Sequence, residues 1–345
     1  MRVARFYDFD DIRIEEAPLP EPGPRDALVK MAVCGICTSD TLSWYVRRKA
    51  PTVLGHEPSG TIVKIGDSVE GFQVGDRVVM HHHAPCMVCR LCQRGNFSMC
   101  PAWKASALDP GGLAEFVRVP DLNLHTDTHI LPDSLSFEDG ALVEPVACVV
   151  QALKRRARMR RGDRVLVIGM GIMGQIIALV ARHYGGSPVI AADFVPYRNA
   201  KALELGADAA IDPSKENLVQ NVSALTGGEL ADLVVVGPGS LPAMQSGFEA
   251  VGTGGTVLLF TPTQPGKDLP VDIYDLYSRD ITLIGSYSCG PPDMKEALDI
   301  VSRGVVTAQK LVTHRFPLEQ VTEGFKTVAE ARDSVKTLII LEQTG

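Results

Sequence analysis

Val165-Leu166-Val167-Ile168 runs directly into Gly169-Met170-Gly171-Ile172-Met173-Gly174, and the reading of this stretch decides the fold of the segment around it. Four apolar residues bounded by glycine predict a short buried strand. The first glycine permits a tight turn, the second lets the backbone approach a pyrophosphate, and the third lets the following helix pack closely on the strand. The amides of Ile172 and Met173, which open that helix, can then hold phosphate oxygens. By itself such a motif also describes an ordinary glycine-rich turn. Here it is flanked by a strand and a helix, and Asp193 stands nineteen positions after Gly174 at the end of the next apolar run. A carboxylate there accepts both ribose hydroxyls and repels a 2'-phosphate, so the pattern predicts NAD rather than NADP. Arg198, five residues further on, is either a partial partner for a 2'-phosphate or a charge on a helix face.

Outward from this motif, apolar runs alternate with helical stretches: Val165 to Ile168, Val189 to Ala192, Ala209 to Ile211, Ala231 to Val236, Thr256 to Phe260 and Ile281 to Tyr287. Parallel neighbours need crossovers and bury both faces, so six such strands predict an α/β fold with a doubly wound parallel sheet. Beyond it a helix is expected over Asp293 to Arg303, with Asp293 and Glu296 as a capping box and Gly304 at its end. The closing run Thr337 to Leu341 is expected to be a strand that returns to the first domain. The first 150 residues differ, with short β-branched runs at Ala27 to Val33, Gly60 to Ile65, Asp76 to Met80 and Ala114 to Val119. That rhythm predicts a small, mostly antiparallel β unit.

A chain of 345 residues suggests two domains at about 150 residues each. With 45% hydrophobic and 22% charged residues, the composition is that of a globular protein and excludes disordered or collagen-like classes. The net charge of -7 repels phosphate backbones, so no nucleic-acid partner is expected. The one basic stripe, Lys154 to Arg161, has no interleaved aromatic residues. No membrane partner is expected either: the most apolar run, Val165 to Ala181, carries three glycines and Gln175 and falls short of the roughly 20 residues that span a bilayer. The N-terminal residues show no apolar segment followed by a cleavage site, which makes the cytoplasm the expected compartment.

Eight cysteines are distributed unevenly. Cys86, Cys89, Cys92 and Cys100 fall within fifteen positions, and four thiolates at such spacing predict a closed tetrahedral zinc site that folds a lobe too short to bury a core. Cys37, His56 and Glu57 form a second set with metal-ligand chemistry, although their spacing alone is equally that of unrelated core or loop residues. Glu144 precedes Pro145 in the apolar segment Ala141 to Val150, where a charge is costly unless paired or coordinated. The triplet His81-His82-His83 resembles a metal cluster. On a strand, however, successive side chains point to opposite faces, so the three are not expected to converge on one ion. Trp44 and Tyr45 are either pocket walls or packing.

Taken together, Gly35-Ile36-Cys37-Thr38-Ser39-Asp40, Gly55-His56-Glu57-Pro58-Ser59-Gly60, Val74-Gly75-Asp76-Arg77-Val78, the four-cysteine lobe, Glu144-Pro145 and the glycine motif with Asp193 resemble the zinc-dependent medium-chain dehydrogenase/reductase family. Within it they resemble the polyol (sorbitol-like) and threonine dehydrogenase branch. The resemblance covers essentially the whole chain. It implies a GroES-like catalytic domain over residues 1–150 with a structural-zinc lobe at about 84–102, a Rossmann domain over 151–288, and a return to the catalytic domain over 289–345. It further implies two zinc ions per chain, an NAD cofactor, a small-molecule alcohol or ketone substrate, an active site between the domains, and a homotetramer or homodimer. Cys37 and His56 match catalytic zinc ligands, and Glu57 and Glu144 both match carboxylates that approach the metal. Glu144 stands where alcohol dehydrogenases of the older branch carry cysteine, and Cys148, one turn later, is expected to be a small buried residue. Ser39 matches the hydroxyl of the proton relay, and Asp40 is expected to orient its loop. Relatives often carry a histidine five positions after the catalytic cysteine, where this chain has Leu42, which counts against threonine as substrate. The implied reaction is NAD-dependent oxidation of a secondary alcohol, such as a polyol, sugar alcohol or cyclitol, to a ketone. Threonine-type or aliphatic alcohols are the alternative substrates, and a non-catalytic NAD-binding protein the remote one.

Overall fold

A computed structural model describes residues 1–342 of the chain. It forms two compact units, one of residues 1–147 together with the chain from Cys289 onward, the other Cys148–Ser288.

In the second unit the strands are Val165–Ile168, Val189–Ala192, Ala209–Ile211, Ala231–Val236, Val251–Leu259 and Thr282–Gly285. They pair in parallel in the spatial order third, second, first, fourth, fifth, sixth. That order is the doubly wound one, in which the strand order reverses beside the first strand, where the glycine motif lies. Every residue of Val165–Ile168 and Val189–Ala192 is buried, as expected of a sheet covered on both faces. The fifth strand opens at Val251, before the expected Thr256; its register against the fourth shifts between Ala231 and Leu233, and its glycines hid the start. The sixth ends at Gly285 instead of Tyr287. Part of the basic stripe has a structural use, since Arg156 Nε donates to the Gly285 carbonyl at 3.0 Å.

The first unit is built on a seven-stranded sheet, ordered Val312–Pro317, Lys336–Ile340, Ala27–Ile36, Glu57–Ile65, Arg77–Met80, Thr128–Ile130, with Phe116–Val119 also pairing on Ala27–Ile36. All pairs are antiparallel except the first. A smaller sheet of Asp11–Glu16, Arg2–Asp8 and Thr52–Val53 adjoins the same apolar core, in which Phe6, Met31, Ile62, Met80 and Leu124 are each at most 1% exposed. The closing strand, Lys336–Ile340, does return to this unit, running antiparallel to Ala27–Ile36. The helix expected from Asp293 is Pro291–Ser302 and starts two residues earlier. Asp293 is not its N-cap: its carboxylate reaches back and accepts from the Gly290 amide at 3.0 Å, while proline suits the first helical turn. Gly304 ends the helix at φ +72°, as expected. Among the described residues no helix is long and apolar enough to cross a membrane.

Candidate active site and metal centres

Three strand ends assemble one cluster. Cys37 follows Ala27–Ile36, His56 precedes Glu57–Ile65, and Lys336 opens Lys336–Ile340. The register sets Gly35 opposite Glu57 and Ile36 opposite Thr337, so the end of one strand and the beginnings of its two neighbours lie side by side. Ligand atoms of Cys37, His56 and Glu57 consequently fall within 4.8 Å of one another. Glu57 is 2% exposed and Lys336 1%, and their carboxylate and ammonium form a direct buried ion pair through Glu57 Oε2. Lys336 Nζ also donates to the Ile36 carbonyl at 3.1 Å. Gly35 has to be glycine, because a Cβ there would lie 1.9 Å from Glu57 Oε2. The sequence reading missed Lys336, since a lysine opening a strand carries no signal of its partner.

Asp40, 3% exposed, is aimed at His56, with Oδ2 3.4 Å from Nδ1. Asp40 Oδ2 makes no hydrogen bond among the described residues, so its pairing with the imidazole is electrostatic. Burial raises the Asp40 carboxyl above its usual range. On His56 burial opposes the charge, but Asp40, Cys37 and Glu144 outweigh it and hold the imidazole well above its ordinary value. The half-buried Ser39 donates through Oγ to Cys37 Sγ at 3.3 Å. A sulfur donor, an imidazole and a buried carboxylate form a set that suits zinc.

Glu144, 5% exposed, shares its surroundings with His81 and His82, the three offering ligand atoms within 4.8 Å of one another. The three histidines do not all offer ligand atoms to one point, but the strand alternation expected of them does not hold. The strand ends at Met80, so alternation no longer applies, and two of the three histidines do face a common point. His81 Nδ1 is hydrogen-bonded to Asp127 Oδ2 at 2.7 Å, with both side chains fully buried, and His83 Nδ1 meets the Ser106 carbonyl. Burial, and then His83, His56 and His81, push His82 well below the usual imidazole range.

In the four-cysteine lobe the Sγ separations are 4.0 Å for Cys86 to Cys92, 3.5 Å for Cys89 to Cys92, 3.8 Å for Cys89 to Cys100 and 3.6 Å for Cys100 to Cys86. A tetrahedron with Zn–S bonds of about 2.3 Å has S···S edges of about 3.8 Å, so the four sulfurs fit zinc. They are too far apart for disulfides. The amides of Cys86 and Cys89 donate to Cys100 Sγ and Cys86 Sγ at 3.4 Å, supporting the thiolates as outer-shell partners do. Of the remaining cysteines, Cys34 is fully buried, with the backbone of Gly55 and Gly112 packed against its sulfur. Cys289 Sγ lies 3.8 Å from His81 Nε2. Cys148 is half-buried, more open than expected.

In the second unit Gly169 has φ +88°, and a Cβ on Gly174 would sit 2.0 Å from the Gly169 carbonyl oxygen. Gly171 caps the helix Ile172–His183 without a side-chain hydrogen bond, so no capping side chain competes for its opening amides. Asp193 Oδ2 accepts from Met170 N at 2.6 Å and Oδ1 from Val195 N at 2.8 Å, fastening the strand end to the glycine loop. Arg198 is no solvated helix charge: its Nη1 is 3.8 Å from Asp193 Oδ2, and its guanidinium lies beside Gly171. The loop has the geometry of a dinucleotide cradle.

Comparison with known proteins gives a consistent result. Residues 23–133 match the family model described as alcohol dehydrogenase GroES-like domain, and residues 173–303 match zinc-binding dehydrogenase. Sorbitol dehydrogenase of Bombyx mori is 33% identical over 98% of this chain and 97% of its own length. Sorbitol dehydrogenase of Ovis aries is 35% identical over 92% and 90%. Among solved structures, 2R,3R-butanediol dehydrogenase from Bacillus subtilis superposes with a TM-score of 0.87 at 28% identity, covering 98% of this chain and 99% of its own.

Two outcomes follow from the geometry. Cys100→Ser lowers zinc, measured by atomic emission, from about two to about one per chain and lowers the melting temperature, because binding energy at a closed site is folding energy; unchanged zinc content contradicts the four-sulfur assignment. Lys336→Met leaves a buried carboxylate unpaired and destabilises the protein by about 3–5 kcal/mol in urea denaturation. Adding Glu57→Gln recovers part of that loss, whereas a double variant no more stable than Lys336→Met contradicts the pairing.

Proposed function

The chain belongs to the zinc-dependent medium-chain alcohol dehydrogenase family, in its polyol branch, and from that membership we propose that it oxidises a secondary alcohol of a polyol, sugar alcohol or cyclitol to a ketone with NAD, and catalyses the reverse. The balance is one alcohol and NAD+ giving one ketone, NADH and a proton. The observation that carries the proposal is the convergence of Cys37, His56 and Glu57 at adjoining strand ends, with Asp40 close to the imidazole. When bound, zinc supplies Lewis-acid polarisation that makes the hydroxyl proton easier to lose, and nicotinamide supplies the hydride acceptor.

The remaining roles belong to the chain. Cys37, His56 and a carboxylate hold the metal. Glu57 is the carboxylate that stands with the other two, its Oε2 anchored by Lys336, while Glu144 is the second carboxylate of the site. Ser39 spans the half-buried zone beside Cys37 and takes the hydroxyl proton outward, Leu42 leaving no imidazole five positions after Cys37 to share the task. Gly169, Gly171, Ile172, Met173 and Gly174 bind the pyrophosphate, and Asp193 binds the adenosine ribose. Arg198 adds positive charge beside the loop and is the one feature that favours a phosphate at that end. Cys86, Cys89, Cys92 and Cys100 hold the second zinc and fold their lobe. The reading extends to a cytoplasmic homotetramer or homodimer, in keeping with the family likeness.

Cys37→Ala abolishes NADH formation from polyols while NADH binding, followed by fluorescence titration, persists; turnover that survives loss of the metal rejects the catalytic zinc. Asp193→Gly removes charged hydrogen bonds and lowers the preference for NAD over NADP by about tenfold or more, and unaltered selectivity rejects the ribose assignment.

A further inference from the structure

Between the residues assigned to the catalytic metal and the zinc lobe lies a packed row of imidazoles that the proposed chemistry does not use. Its outer members are tied down. His81 is fixed by Asp127, and His83 meets the Ser106 carbonyl and packs on Trp103, which is 2% exposed, with ring centroids 4.2 Å apart. The middle ring, His82, is held by packing, 4.1 Å from His83, 5.1 Å from His81 and 5.0 Å from His56. Its Nδ1 is buried and has no hydrogen-bond partner among the described residues. A buried polar nitrogen without a partner carries a desolvation cost that a bound polar group would remove. The ring beside it is His56, which the proposed function places on the metal.

We infer that His82 hydrogen-bonds a second hydroxyl of the substrate, the one on the carbon next to the carbinol being oxidised, and that the site thereby selects vicinal diols over simple secondary alcohols. The inference rests on the polyol reading above. A neutral imidazole offers one donor and one acceptor, which matches a hydroxyl group. The His82 ring centroid lies 5.0 Å from that of His56, a spacing on the scale of a small diol. The Glu144 carboxylate, within 4.8 Å of both His81 and His82, can accept from the same hydroxyl. Because neighbours lock the rings, the contact is in place before substrate arrives, and a site built to bond a hydroxyl discriminates strongly against an analogue that lacks it.

The test compares 2,3-butanediol with 2-butanol, which differ by the neighbouring hydroxyl alone, in the zinc-loaded enzyme. The readout is the ratio of kcat/KM for the diol to that for the mono-alcohol, with zinc content measured on the same samples. His82→Phe keeps the ring packing and removes the hydrogen bond, and the expected ratio falls about tenfold or more. His82→Asn keeps a donor and an acceptor and retains most of the ratio. Should His82→Phe fail to fold, His82→Ala carries the same comparison. An unchanged ratio in the variant that folds overturns the inference and leaves the polyol reading standing. Loss of zinc from it also overturns the inference, since His82 would then be a metal ligand. A wild-type enzyme that reduces NAD with none of sorbitol, xylitol and 2,3-butanediol overturns the polyol reading, and the inference with it.

Discussion

The register of three neighbouring strands is the constraint on which the rest depends. Gly35 faces Glu57 and Ile36 faces Thr337, so Cys37, His56, Glu57 and Lys336 meet although nearly the whole length of the chain separates the first from the last. Slipping a strand by one residue would turn its side chains to the other face, scattering the thiolate, the imidazole and the ion pair at once. The buried Lys336 and Glu57 reinforce this register. Either charge without the other is costly in the core, so the returning strand is held to the pairing that brings them together. The sheet that stabilises the first unit thus also positions the groups assigned to the metal.

The dinucleotide unit solves its own problem separately. Its strands Val165–Ile168 and Val189–Ala192 are buried throughout, its strand order reverses beside the glycine motif, and the absence of side chains at Gly169, Gly171 and Gly174 suits the pyrophosphate contact proposed there. Asp193 and Arg198 then adjust the charge at that end. The four-cysteine lobe works by a third principle: it has little apolar material beyond Phe97 and Trp103, so thiolate and metal take the place of a core.

Much of this was legible in the residues. The four apolar runs from Val165 to Val236 became strands with the expected bounds, because short parallel strands buried on both faces have few polar residues to blur their ends. The four-cysteine spacing and the glycine motif are local signals, and local signals survive without a structure. What escaped depended on distant contacts or on where an element stops. Lys336 finds Glu57 across 279 positions, a relation that no periodicity carries. Asp40 could be placed in its loop but not on His56. The histidine triplet was assigned the alternation of a strand, yet the strand ends at Met80 and two of the rings share a direction. Asp293 looked like an N-cap because its carboxylate does cap the helix, from inside the first turn.

The central claim is that the cluster at the strand ends holds a zinc ion essential to alcohol oxidation. It is tested most directly by removing the catalytic metal with a chelator, adding zinc back in measured equivalents, and following NADH absorbance with sorbitol or xylitol as substrate. The account predicts no NADH from the depleted enzyme and a rate that rises in proportion to zinc until that site is filled. NADH formed at the same rate by depleted and refilled enzyme would contradict it.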